Sequence, residues 1–191
     1  MKPTTPPEFL RNITEELKGM TLLDVLQGKP LRHPMHPFLA HVPVGLWPTA
    51  LVLDVIAIIK GGNHPDLTLT AWWCILAGLA VALLAVPTGI ADWWSIKRQR
   101  PAWSLGLIHA LLNVVVFALF LADFIIRCRR GPAEPDVTAI QLILSAVGTG
   151  ILFVSVYLGG RLVYEHGISV ARTSKKHWRE LAEAGGAVVP Q

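Results

Sequence analysis

A chain of 191 residues that is 52% hydrophobic and only 16% charged is too apolar for an ordinary soluble domain, and its mean hydropathy of +0.49 points to an integral membrane protein. The formal net charge of +4 does not mark a nucleic-acid binder, because the basic residues flank apolar stretches instead of forming one stripe. Two lone cysteines, Cys74 and Cys128, exclude a Cys-ligated iron–sulfur or zinc centre.

Residues 1–36 are polar and Pro-rich. They contain short helical patterns, Phe9, Ile13, Leu17 and then Leu22, Leu23, Val25, Leu26, that suit a membrane surface, whereas residues 1–7 read as a loose lead-in. No positively charged start feeds an apolar core and a small-residue cleavage site, so this segment is expected to stay on the mature protein. Four apolar stretches follow, at about 38–59, 71–92, 105–126 and 138–158, each long enough at ~1.5 Å per residue to cross ~30 Å of hydrocarbon. Trp72 and Trp73 open the second, Trp93 and Trp94 close it, and Trp103 opens the third, as rings anchored at the interfaces should. Short connections make sequential stretches antiparallel neighbours. The expected fold is therefore all-α, an integral membrane four-helix up-down bundle over residues 37–170, with a cytoplasmic N-terminal segment over 1–36 and a polar cytoplasmic tail over 171–191.

Thirteen of the seventeen Lys and Arg fall in the N-terminal segment, the second connection (Lys97, Arg98, Arg100) and the C-terminal segment, against four on the other side, Lys60, Arg127, Arg129 and Arg130. The positive-inside rule then places both termini in the cytoplasm of a bacterial inner membrane. Arg127, Arg129 and Arg130 are a local exception, partly offset by Glu134 and Asp136.

Five of the seven histidines, His33, His36, His41, His109 and His166, gather with Asp92 at the cytoplasmic end of this bundle. Ionisable groups near apolar helices are costly and tend to mark sites. Neutral imidazole binds iron, zinc and copper and carries protons near neutral pH. His41 and His109 lie at similar depth on separate helices, which suits the axial pair of a b-type haem, with Asn113 and Asp92 orienting the imidazoles and with membrane electron transfer as the function. His36 and His166 suit a second pair, and His33, His36 and Asp92 a separate metal site. A different reading makes the cluster interhelical glue in a non-enzymatic membrane subunit or scaffold. A third makes His109, Asn113 and Asp123, which share a narrow arc of the third helix, an ion or proton path. His41 precedes Asp54 much as His109 precedes Asp123, the trace of a duplicated two-helix unit. Pro43, Pro48 and Pro87 each free a backbone carbonyl, so kinks that widen the cytoplasmic half are expected. Glycine and small-residue faces on the second and fourth helices, with Gly78, Gly89, Gly148 and Gly159, allow close approach. No nucleophile–base arrangement or phosphate loop stands in the chain, so a hydrolase or kinase is unsupported.

The run Arg32-His33-Pro34-Met35-His36-Pro37 followed by His41-Val42-Pro43-Val44-Gly45-Leu46-Trp47 resembles the N-terminal motif of bacterial membrane proteins grouped as domain of unknown function family 2231. Thr88-Gly89-Ile90-Ala91-Asp92-Trp93, His109-Ala110-Leu111-Leu112-Asn113 and Gly159-Gly160-Arg161-Leu162-Val163-Tyr164 agree in the same order, so the resemblance covers roughly residues 20–170. It implies the four-helix fold and makes His33, His36, His41, Asp54, Asp92, His109, Asn113, Gly160 and His166 motif positions. Some relatives carry a Rieske-type iron–sulfur domain after the fourth helix, which implies membrane electron transfer for those members. This chain has no Cys-His pairs for such a cluster, so its expected redox partner is a quinone or a separate protein, beside membrane lipid and a second copy of itself.

Overall fold

The computed structural model describes residues 19–31, 33–170 and 183–186. The patterns at Phe9, Ile13 and Leu17, the loose lead-in and most of the polar tail lie outside them. Among the described residues every regular element is helical: α1 (Leu22–Leu26), a 3₁₀ turn (Lys29–Leu31), then α2 (Met35–Ile59), α3 (Pro65–Trp94), α4 (Pro101–Arg130) and α5 (Ala139–Tyr164).

Each of the four long helices holds a window apolar enough to cross a membrane. Three extend beyond the apolar stretch by several residues, because helical hydrogen bonding continues through the headgroup layer, whose outer limits are ~40–45 Å apart. Local signals set the ends. Pro65 and Pro101 open α3 and α4 at the first turn, where a missing N–H costs nothing. Thr138 and Gln141 form a capping box on α5, Gln141 accepting from the Thr138 amide at 2.8 Å, so two orphan donors are satisfied. Gly61 and Gly62, with φ of 90° and 76°, turn the chain between α2 and α3 in a region of backbone space that side chains disfavour. Both α2 and α3 run unbroken through Pro43, Pro48 and Pro87.

Thr21 and Asp24 cap α1 in the same way. Hydrogen bonds from Lys29 and Thr21 hold the Asp24 carboxyl well below the usual carboxylate range. Gln27 donates to the Ala91 carbonyl at 3.0 Å and pins α1 against the end of α3, with Leu22, Val25 and Leu31 left exposed. That arrangement suits the boundary of a membrane, where an apolar face has acyl chains to meet.

Polarity is distributed as lipid demands. Ile59, Leu83, Leu84 and Phe153 are exposed, whereas Asp54, Asp123, Arg127, Ser145 and Ser155 are buried; apolar groups lose nothing in hydrocarbon, and polar ones need protein partners. The core centres on Trp47 stacked on Phe120, with centroids 4.5 Å apart and planes at 12°. Each ring lies on a glycine of the next helix. A Cβ at Gly78 would stand 2.3 Å from Trp47 Nε1, and one at Gly148 would stand 2.8 Å from Phe120 Cε2, so the absence of a side chain sets the helix separation.

Like contacts recur in the two hairpins, α2–α3 and α4–α5, in a register other than the one suggested by His41 and Asp54, as a duplicated two-helix unit would give. Ring and ion pairs that join α2 to α4 include His36 with His109, Trp47 with Phe120 and Asp54 with Arg127. All three pairs are 73 residues apart (36 to 109, 47 to 120, 54 to 127). The glycines beneath the rings repeat at a spacing of 70 (78 to 148, 89 to 159). Positions that contact their own equivalents are those on a two-fold axis, so these three pairs trace the axis of the duplication along the bundle.

Candidate functional site

The axis presents polar groups at both ends, with the Trp47–Phe120 stack between. At the end shared by the start of α2, the end of α3, the start of α4 and the end of α5, the His36 and His109 rings meet with centroids 6.3 Å apart and planes at 89°. His36 is the second residue of α2, and its Nδ1 lies 3.0 Å from the Ala85 carbonyl oxygen on α3. Its ring occupies the space above Gly89, where a Cβ would come within 2.7 Å. His109 repeats the arrangement in the second hairpin: Nδ1 lies 2.8 Å from the Ser155 carbonyl oxygen on α5, and a Cβ at Gly159 would stand 3.0 Å from Cε1.

A carbonyl only accepts, so each Nδ1 carries the proton it donates, and in the neutral ring Nε2 is left as the acceptor. Asn113 lies one turn beyond His109. Its Nδ2 has three acceptors in reach, Ser155 Oγ at 2.8 Å, the His109 carbonyl at 2.9 Å and His109 Nε2 at 3.1 Å. An amide nitrogen has two protons. The two shorter bonds use both, and the Nε2 lone pair is the one left over. Thr88 Oγ donates to the Ala85 carbonyl at 2.6 Å, fixing the acceptor that His36 uses.

His41, placed opposite His109 by its depth, is exposed on the outside of α2. The buried stripe of that helix is Pro43, Trp47, Ala50, Asp54 and Ala57. His36 falls on its continuation, and five further residues turn His41 about 140° away. The structure therefore brings His36, not His41, to His109. His166 lies half-buried in the turn after α5, its amide bonded to the Arg161 carbonyl at 3.3 Å. His33 is exposed, edge-on to Phe38 with centroids 6.2 Å apart. Asp92 is buried and accepts a hydrogen bond from Ser169, which ties the segment after α5 to the end of α3. Among the described residues no group of three or more His, Cys, Asp or Glu side chains could hold a metal ion, so His33, His36 and Asp92 do not form a three-ligand set.

The other end holds residues that the sequence reading left apart. Arg127 grips Asp54 through both terminal nitrogens, Nη1 to Oδ1 at 3.1 Å and Nη2 to Oδ2 at 2.5 Å. Its Nε donates to Asp123 Oδ1 at 3.1 Å, and Ser145 Oγ donates to Asp123 Oδ2 at 2.8 Å. Asp54 and Asp123 are fully buried and Arg127 is 3% exposed. A planar guanidinium is the group that can serve two carboxylates at once. The signal in the sequence was the four-residue spacing of Asp123 and Arg127, together with the need of any intramembrane carboxylate for a partner. Fully buried Val116 and Phe120 separate Asp123 from Asn113 and His109 along α4, so the three do not form one polar run. Cys74 and Cys128 are free thiols.

Four apolar helices enclosing paired polar groups define a multi-pass membrane protein whose distinctive feature is a histidine pair on a duplication axis. The family model described as a predicted membrane protein, DUF2231, matches residues 32–172, and the chain belongs to that family. No curated protein and no solved structure matches it.

Proposed function

We propose that the protein binds a b-type haem, or another transition metal, through His36 and His109 and transfers electrons within the membrane. The observation that carries this reading is the matched tethering of the two imidazoles. Each Nδ1 faces a backbone carbonyl of the neighbouring helix, at 3.0 Å and 2.8 Å, which is the outer contact that orients metal-binding histidines and makes them better ligands. The residue types support the reading: two imidazoles come from opposite hairpins with ring centroids 6.3 Å apart, and imidazole is a common ligand of haem iron and other transition metals. A bound haem iron supplies one-electron chemistry at a potential set by burial and by hydrogen bonds to its ligands. Ala85, Ser155 and Asn113 orient the ligands, and Gly89 and Gly159 make room for the rings. On this reading the redox partner is a quinone or a separate protein. The site faces the cytoplasm of a bacterial inner membrane, a placement supported by the charge distribution. Arg127, bound between two carboxylates, is no longer a loop charge, which leaves Lys60, Arg129 and Arg130 on the far side.

A second reading is favoured by the bonds that tie His36, His109 and Asn113 to neighbouring helices, Asn113 Nδ2 to Ser155 Oγ at 2.8 Å among them: the cluster then serves only to hold the helices together. Haem and metal content of the detergent-purified protein, expressed with ample haem supply, separates the two. The metal-binding reading predicts stoichiometric loading that is lost in His36→Ala and in His109→Ala while membrane insertion persists. The structural reading predicts a colourless, metal-free protein in which the same substitutions lower the melting temperature.

A further inference from the structure

The turn from α3 into α4 carries a hollow that the histidine pair does not use. Trp93, Trp94, Ile96, Arg98 and Trp103 line it around a volume of ≈ 250 Å³. Its walls are held in place. Trp93 Nε1 donates to the Trp103 carbonyl at 3.0 Å, the two indoles lie 5.0 Å apart, and Gly106 supplies the space for Trp93, since a Cβ there would stand 2.7 Å from Cδ1. The Arg98 guanidinium lies 5.9 Å from the Trp103 ring centroid, in cation–π range. Lys97 and Arg100 flank it.

Three features together select the ligand. The cationic turn calls for an anion, and Arg is the side chain suited to phosphate. The indoles sit where their amphipathic rings meet both headgroups and acyl chains. Exposed Ile90 and Trp94, one turn apart on α3, continue from the hollow along that helix, so the anion's carrier has an apolar tail that lies along it. We propose that this hollow binds the phosphate headgroup of an anionic phospholipid, with Arg98 on the phosphate and Trp93 and Trp103 against the glycerol and first methylenes.

The test uses the whole protein in nanodiscs of equal phosphatidylcholine and phosphatidylglycerol, released into mild detergent, with co-purified lipid counted by native mass spectrometry. Phosphatidylglycerol is expected to be retained over phosphatidylcholine. Arg98→Ala should reduce that retention about fivefold, one basic side chain's share of attraction to anionic lipid, and Arg98→Lys should fall between. Arg129→Ala, at the opposite end of the bundle, should leave it unchanged, and unaltered melting temperatures should accompany all three variants. Equal retention of the two lipids by the wild type overturns the proposal. So does an Arg129→Ala loss as large as that of Arg98→Ala, which would reduce the effect to general surface charge.

Discussion

Two residues decide how the polar interior is read, and their partners differ in how visible they were. Arg127 sits beside an apolar run and resembles a loop charge, because nothing local announces that Asp54, on a different helix, will meet it. The physical rule that an intramembrane carboxylate needs a partner still pointed at Arg127 through Asp123, one turn away. The cluster makes a sharp prediction. Arg127→Met should destabilise the protein by ~3–5 kcal/mol, because it leaves two carboxylates buried and unpaired. Combining it with Asp54→Asn and Asp123→Asn should recover most of that loss, since an uncharged cluster leaves no desolvated charge behind. Denaturation midpoints in detergent read both effects; if the triple variant is no more stable than Arg127→Met, the charge argument fails.

His41 shows what depth alone leaves out. Depth along the helix suggested it as the partner of His109, but depth says nothing about rotation. The rotation of α2 was legible in Pro43, Trp47, Ala50, Asp54 and Ala57, whose spacing of three and four residues marks the buried face. Extended back by one turn or two, that stripe reaches His36. Accordingly, His41→Ala should leave any property of the histidine pair unaltered.

The elements themselves were largely visible in the sequence. Four apolar runs gave four helices, Trp93, Trp94 and Trp103 fell at helix ends while Trp47 went to the core, and short connections gave an antiparallel order. Helix limits were less legible, because hydropathy stops at the hydrocarbon edge while capping and hydrogen bonding continue into the headgroup region. The glycine faces were visible as faces, but which ring each glycine would meet depends on tertiary packing. Those contacts carry a paired prediction. Gly148→Ala puts a methyl 2.8 Å from the Phe120 ring and should cost ~1–3 kcal/mol by overpacking. Gly150→Ala, two residues on and with nothing within 4 Å of the added carbon, should be neutral or stabilising by up to about 1 kcal/mol, the helix-propensity gain of Ala over Gly. Equal effects of the two changes on thermal stability would mean that ring-on-glycine contact does not set the spacing between α4 and α5.

At the scale of the molecule, the duplication organises everything else. A search for like residues at a constant spacing does not find it easily, because the equivalent pairs are His with His, Trp with Phe and Asp with Arg. Residue types differ at two of the three paired positions while the spacing of 73 residues is constant. If each hairpin is a unit of the repeat, the covalent link between Lys97 and Arg98 is dispensable, and the two halves expressed together as separate chains should assemble and co-purify. Failure to associate, with each half stably inserted, would contradict that view. Orientation is tested separately. A cysteine replacing Ala133, in a background lacking Cys74 and Cys128, should react with a membrane-impermeant maleimide added outside intact cells; labelling only after lysis would invert the topology.

The most direct test of the account is the reduced-minus-oxidised absorption spectrum of the purified protein and of three single variants. The account predicts b-type bands in the wild type and in His41→Ala, and their loss in His36→Ala and His109→Ala. Bands that survive His36→Ala but vanish in His41→Ala, or a featureless wild-type spectrum from haem-replete cells, would contradict the assignment of a haem to the axial histidine pair.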